Sequence, residues 1–190
     1  MYLFFDTETT GLPLRYNAPL ERLNNWPRLV QIAWLMYDKN EECLFEKDYI
    51  IKPNGFLIPD CAANIHGITT EKALLEGTDL VPVLNEFSLD IENADEIIAH
   101  NIDFDEKIIG AEFIRNHITH ELFNTKRICT MKSSTDYCKI PNNYGKYKWP
   151  NLKELHKKLF QCEFSNAHDA LEDVRACAKS FFELKRLKII

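Results

Sequence analysis

The residues of this chain most able to do chemistry are four carboxylic acids and one histidine in three short stretches. Asp6 and Glu8 stand near the start, Asp105 in the middle, and His168 with Asp173 near the end. Mg²⁺ and Mn²⁺ are hard cations that take oxygen ligands and often share them with substrate phosphates. The pattern therefore predicts that distant parts of the chain meet in a two-metal phosphodiesterase site.

The first acidic pair follows an apolar run, Tyr2 to Asp6, which predicts a buried strand with carboxylates at its carboxyl end. Alternate side chains of a strand share a face, so Asp6 and Glu8 can point at one ion. Two solvated acids at a strand end are the alternative for this pair taken alone.

The other two stretches lie where helices are predicted to begin. Asp105 falls in a first helical turn, where an acid also stabilises the helix dipole, so a purely structural charge is the alternative there. His168 is predicted at a helix entrance, with Asp173 on the second turn of that helix. Asp169 and Glu172 are expected to face solvent.

The elements that must position these residues alternate in the manner of an α/β fold with a mixed sheet and packed helices. The first three strands have short connections, which favours an antiparallel meander. Strands are predicted at 2–6, 29–37, 46–51, 97–100 and 127–130, and helices near 58–64, 70–75, 80–92, 103–117, 152–160 and from 168 onward.

The length of 190 residues predicts one domain covering 1–190. No segment approaches the ~20 apolar residues of a membrane span, so no membrane association and a cytoplasmic location are expected. The six cysteines form no CxxC pair and are expected to be thiols. Three histidines without carboxylate companions are expected at the surface: His117, His120 and His156.

Charge is uneven along the chain. The net charge is −6, yet residues 126–158 hold nine lysines and arginines against two acids. An acidic body with one basic stretch suits an enzyme that grips a few nucleotides at a strand end better than a protein that spans long duplex.

Two long irregular segments, 13–27 and 139–150, are predicted, and loops of this length often act on a substrate. Residues 137–149 interleave aromatic and basic side chains, which suits stacking on single strands; packed surface aromatics are the alternative. The 13–27 insertion lies beside the first acidic motif and is interpreted as a lid or a strand-separating wedge.

Taken together, the motifs resemble those of the histidine-bearing (DEDDh) branch of the DEDD 3′→5′ exonucleases, which includes relatives of polymerase III proofreading subunits, ribonuclease T and oligoribonuclease. Asp6–Gly11 matches Asp-x-Glu-Thr-Thr-Gly, and His100–Asp105 matches His-Asn-x-x-Phe-Asp. His168–Asp173 matches the third motif, and His66–Ile68 matches an intermediate His-Gly-Ile sequence. The match is collinear from residue 3 to about residue 182 and implies a ribonuclease-H-like mixed five-stranded sheet flanked by helices.

The resemblance also implies the roles of the site residues. Asp6, Glu8 and Asp173 would hold one divalent ion, Mg²⁺ or Mn²⁺, and Asp6 with Asp105 would hold a second. The two ions would activate water and stabilise the departing 3′ oxygen. His168 would take the proton of the attacking water, and a nucleoside 5′-monophosphate would be released.

Four further residues would bind the terminal nucleotide by the same resemblance: Thr9, Leu12, His66 and Asn101. His66 has a second interpretation as a hydrogen-bonding residue at a helix end. The expected partners are nucleic acid 3′ ends, mainly single-stranded, and relatives act on either DNA or RNA. The chain ends 17 residues after Asp173, from which no stable polymerase partner is expected.

Two other functions are alternatives. The first is a catalytically inactive nucleic-acid-binding module of the same fold, which the presence of all five candidate catalytic residues disfavours. The second is a phosphatase that forms an aspartyl phosphate. That chemistry calls for an aspartate two residues after the nucleophile, and Glu8 occupies this place.

Overall fold

A computed structural model describes residues 1–162 and 169–190, and over these residues five strands form one mixed sheet. The sheet order is β3-β2-β1-β4-β5. Strands β1 to β3 form the predicted antiparallel meander, whereas β4 and β5 run parallel to β1. The strands are β1 Tyr2–Thr9, β2 Leu29–Tyr37, β3 Cys43–Ile50, β4 Glu96–Ala99 and β5 Lys126–Cys129.

Eight α-helices lie in the same described part of the chain. Two four-residue helices were not predicted, because segments this short carry no measurable apolar periodicity. Thr130, which was predicted to end the fifth strand, begins the first of these two. The helices are α1 Asp60–His66, α2 Thr70–Glu76, α3 Leu80–Glu92, α4 Ile102–Arg115, α5 Thr130–Ser133, α6 Thr135–Cys138, α7 Leu152–Phe160 and α8 Ala170–Arg186.

Helices cover both faces of the sheet, so the central strands are apolar on both sides. Phe5 and Trp34 face the core that α3 and α4 complete, and Phe87 of α3 packs on both rings. Phe4 faces the opposite core, where its ring lies 5.3 Å from that of Phe181 in α8. Alternate residues of β1 therefore point toward α4 and toward α8, which decides where its polar residues project.

The parallel pairing of β1 with β4 brings the second motif beside the first. Phe4 is opposite Ile98, so both strands end at the same edge of the sheet. Asn101 then adopts a left-handed conformation, with φ of 77°, and caps α4. This sharp turn starts α4 beside the carboxyl end of β1.

Three of the smaller expectations have mixed outcomes. All six cysteines are free thiols. The surface prediction was wrong for His156, which is buried, because its ring packs on Phe160 and its Nδ1 donates to the carbonyl oxygen of Cys162. His120 is half-buried and stacks on Phe113, whereas His117 is exposed.

Within residues 1–162 and 169–190, no helix has the length and apolar content that a membrane crossing requires.

Candidate active site

Three of the predicted carboxylates meet at the carboxyl end of β1. Asp6 and Glu8 alternate on the strand and project toward α8, from which Asp173 reaches back. One carboxylate oxygen from each residue lies within 4.8 Å of the others. The structure therefore gathers side chains that are more than 160 residues apart in sequence into one acidic group.

Asp173 lies one turn earlier in its helix than predicted. The helix begins at Ala170, because the Asp169 side chain accepts from the backbone N–H groups of Leu171 and Glu172 and so caps it. Asp173 is consequently in the first turn of α8, where the helix dipole favours a negative charge. His168 lies outside the described residues, so its predicted place at the site stays a prediction.

Asp105 approaches the same cleft from the other face of the sheet. Its side chain is 3% exposed, and its Oδ1 accepts from both the Thr7 hydroxyl, at 2.7 Å, and the Thr7 backbone N–H, at 3.2 Å. Thr7 faces α4 because it alternates with Asp6 and Glu8. The hydrogen bonds of this threonine to Asp105 were not predicted, although its position between two acids on a strand was the available signal.

Asp6, Glu8 and Asp105 all have raised pKa values in this cleft. Burial raises the pKa of Asp6 well above its usual range, and repulsion from Asp105 and Asp173 raises it further. Burial is the largest cause of the raised pKa of Glu8, and repulsion from Asp173 and Asp105 adds to it; together they raise this pKa to about 8. The pKa of Asp105 rises to about 7 through burial, although its hydrogen bonds from Thr7 oppose the shift.

This donor set fits divalent cations. Across the described residues, no lysine or arginine forms an ion pair with Asp6, Glu8 or Asp105. Clustered carboxylates repel one another, and a bound Mg²⁺ or Mn²⁺ would remove that repulsion. Asp6, Glu8, Asp105 and Asp173 are the residues that would hold such ions.

A largely apolar pocket adjoins the acidic cleft and contains three of the four predicted substrate contacts. Thr9, Leu12 and His66 line it, and Leu12 is 72% exposed. The His66 Nδ1 also accepts from the backbone N–H of Ile68, so its helix-end role is realised at the same position. Asn101, the fourth contact, lines the acidic cleft instead.

Among the pocket residues that were not predicted as substrate contacts are Cys61, Ala62, Ile65 and Phe104. Phe104 lies within the second motif, which was the available signal for it. Cys61 and Ile65 are one turn apart on α1, and the predicted contact His66 at the end of the same helix was the available signal for them.

His100 links the acidic cleft to the 139–150 segment. Its Nε2 donates to the Pro150 carbonyl oxygen at 3.1 Å, and its Nδ1 lies 3.0 Å from the Thr130 hydroxyl. Because a carbonyl oxygen only accepts, Nε2 carries the proton and Nδ1 accepts from Thr130. Burial lowers the pKa of His100 to about 4, so the ring is neutral. Its hydrogen bonds hold the Pro150 end of the 139–150 segment beside Thr130.

The 13–27 insertion is tied to the body of the protein. Within the insertion the Asn25 side chain exchanges two hydrogen bonds with the Arg15 backbone, and Arg115 of α4 donates to the carbonyl oxygens of Leu23 and Trp26. Lys107 of α4 donates to the Tyr16 carbonyl oxygen, while Tyr16 also lines the acidic cleft. The insertion therefore lies beside the acidic cleft, and its interpretation as a lid or a strand-separating wedge stays a prediction.

Comparison with known proteins identifies the family. A family model described as "Exonuclease" (RNase T) matches residues 3–181. The DNA polymerase III PolC-type of Streptococcus sanguinis (strain SK36) is 28% identical over 181 residues, a match that covers 95% of this chain and 11% of the polymerase.

Solved structures of E. coli exonuclease I share the fold. The complex with a dT13 oligonucleotide has a TM-score of 0.74 at 23% identity and covers 98% of this chain and 42% of exonuclease I. The zinc-bound complex with single-stranded DNA has a TM-score of 0.72 at 24% identity and covers 98% of this chain and 40% of exonuclease I. The chain thus spans about two fifths of that enzyme. It has the ribonuclease-H-like fold of exonuclease I and belongs to the RNase T family of DEDDh exonucleases.

Proposed function

We propose that this protein is a divalent-metal-dependent 3′→5′ exonuclease acting on single-stranded or frayed ends of DNA or RNA. The observation that carries the proposal is the convergence of Asp6, Glu8 and Asp173 within 4.8 Å, with Asp105 lining the same cleft. Family membership and the crystallised complexes of exonuclease I with single-stranded DNA support it. In this proposal residues 1–190 act as one exonuclease domain.

Two ions held by these acids would supply an activated water and charge stabilisation of the departing 3′ oxygen. Thr7 would keep Asp105 oriented through its two hydrogen bonds. His168 would take the proton of the attacking water, as in the sequence-based prediction. Hydrolysis adds the water oxygen to phosphorus and leaves a nucleoside 5′-monophosphate and a strand shortened by one nucleotide.

The pocket beside the acids would hold the terminal nucleotide. Leu12 offers an exposed apolar surface for a base or sugar, and Thr9 offers its backbone N–H. His66 would line the inner wall, and Asn101 would contact the substrate from the acidic side. Because these groups recognise features that every nucleotide shares, the pocket suits substrates of varied sequence.

The test is cleavage of 5′-labelled single-stranded DNA, single-stranded RNA and a duplex with a 3′ mismatch. Each is incubated with Mg²⁺, with Mn²⁺ and with EDTA. The expected result is a ladder shortened from the 3′ end only when metal is present. Binding without any cleavage would contradict the proposal and favour the inactive binding module.

The absence of a stable polymerase partner stays a prediction. Co-purification of a polymerase with this chain would contradict it without bearing on the exonuclease chemistry.

A further inference from the structure

Residues 139–150, named here the aromatic loop, hold three large aromatic side chains in solvent. Tyr144 is 88% exposed, Tyr147 44% and Trp149 61%. The alternative of packed surface aromatics does not hold for Tyr144 and Trp149, whereas Tyr137, just before the loop, is partly buried against Cys138, Leu155 and Leu184. Three exposed aromatic side chains within residues 144–149 offer faces on which unpaired bases can stack.

Hydrogen bonds within the loop fix the conformation of its backbone, which carries the exposed aromatic side chains. The Asn142 side chain accepts from the backbone N–H groups of Tyr144 and Lys146, and the Asn142 backbone N–H donates to the Lys146 carbonyl oxygen. Gly145 supplies the positive φ of 72° that the tip requires. His100 fixes the far end by its hydrogen bond to Pro150.

The charge of the loop is positive. Lys139, Lys146 and Lys148 are its charged residues, and the segment contains no acid. Lys148 pairs with Glu154 at 2.5 Å, but Lys139 and Lys146 form no ion pair with any described residue. Aromatic faces beside unpaired lysines are the combination that binds single-stranded nucleic acid, because bases stack and phosphates pair with cations.

The position of the loop fits the path of a strand. The apolar pocket and the acidic cleft share Glu8 and Leu12, so they are two ends of one groove. Asn151 lines the acidic end, two residues after Trp149. If the terminal nucleotide fills the apolar pocket, the phosphodiester bond to be cleaved lies over the acidic cleft. The rest of the strand then leaves the groove past Asn151.

We propose that the aromatic loop binds the single strand on the 5′ side of the cleaved bond, an inference that rests on the proposed exonuclease function. Trp149 and the two tyrosines stack on successive bases, and Lys146 pairs with a phosphate. This surface makes the enzyme favour strands of several nucleotides over dinucleotides, and it recognises no particular base because every base has an aromatic face.

Tryptophan fluorescence tests this contact directly. The chain has three tryptophans, of which Trp26 and Trp34 are 3% and 0% exposed, so a change in emission on strand binding reports Trp149. The probes are oligothymidine of about eight nucleotides, within the span of one single-strand site, and a thymidine dinucleotide. Both carry a 3′-terminal phosphorothioate linkage to slow hydrolysis, and both are titrated in Mg²⁺.

We expect the longer strand, and not the dinucleotide, to quench Trp149. The Trp149→Phe variant should lose the signal but keep its affinity, since phenylalanine also stacks. The Trp149→Ala variant should bind the longer strand about tenfold more weakly by fluorescence anisotropy, the loss of one stacked base. Leu89→Ala is the matched control, because Leu89 is 60% exposed on α3 and should leave affinity unchanged.

Two results would overturn the inference. The longer strand could bind with unchanged Trp149 emission, or Trp149→Ala could bind it as tightly as the parent protein does. Either result would leave the exonuclease proposal intact, provided that metal-dependent cleavage is observed. If the parent protein neither binds nor cleaves any strand, both proposals are wrong.

Discussion

Replacing Glu8 with glutamine should stabilise the metal-free protein at alkaline pH. Burial and the charges of Asp173 and Asp105 raise the pKa of Glu8 from 4.5 to about 8. A carboxyl group whose pKa is higher in the folded protein takes up a proton on folding. Its contribution to stability is therefore complete below pH 4.5, declines as the pH rises, and is lost above about 8.

The size of this effect follows from the shift. A pKa difference of this magnitude corresponds to about 5 kcal/mol in the free energy of unfolding. Because neighbouring acids share the proton uptake, we expect about 2–4 kcal/mol for Glu8. Glutamine keeps the shape of the side chain without its charge, so the variant should gain this amount near pH 9 and almost nothing near pH 5.

Urea denaturation in EDTA, at about pH 5 and about pH 9, measures the difference between the variant and the parent protein. Subtracting the free energy of unfolding of the parent protein from that of the variant, at each pH, cancels the titration of every other group to first order. The matched control is Glu76→Gln, because Glu76 is exposed at the end of α2 and forms no ion pair with a described residue. Equal stability gains at both pH values, or a loss near pH 9, would refute this reasoning.

Three further substitutions test the site. Asp105→Asn should lower kcat by ~10²-fold, which corresponds to ~2.7 kcal/mol in the activation free energy. Asp103→Asn in the same helical turn is the control and should change kcat little, because Asp103 is exposed and pairs with Lys132. Thr7→Val should lower kcat/KM about tenfold by removing the hydroxyl that orients Asp105, and a parent-like rate would show that this hydrogen bond is dispensable. His168→Ala should lower kcat by ~10²–10⁴ while calorimetry finds Mn²⁺ binding preserved, and an unaffected rate would exclude His168 as the general base.

The sequence predicted well where a local rule determines the geometry. Alternation along a strand was enough to place Asp6 and Glu8 on one face, and the apolar run from Leu29 to Tyr37 was enough for a strand covered on both sides. The predicted ends of helices were less accurate, because capping hydrogen bonds decide where a helix begins. The side-chain hydrogen bonds of Asp169 start α8 two residues later than the His168 position predicted.

The convergence of the acidic motifs was predicted, but the hydrogen bonds between other residues of distant segments were beyond sequence reasoning. The bond between Thr7 and Asp105 joins residues 98 positions apart, and that between His100 and Pro150 joins residues 50 apart. The same limit explains His156, whose burial depends on the packing of α7 rather than on its sequence neighbours. In each case the side chain is polar, and only the folded arrangement supplies its partner.

The most direct test of the two-metal site is a calorimetric titration of Mn²⁺ into the protein with a nucleoside 5′-monophosphate present. We predict that two ions bind the parent protein and that Asp6→Asn loses both, since Asp6 is assigned to each. Mn²⁺ binding that is absent from the parent protein, or unchanged in Asp6→Asn, would contradict the proposed site.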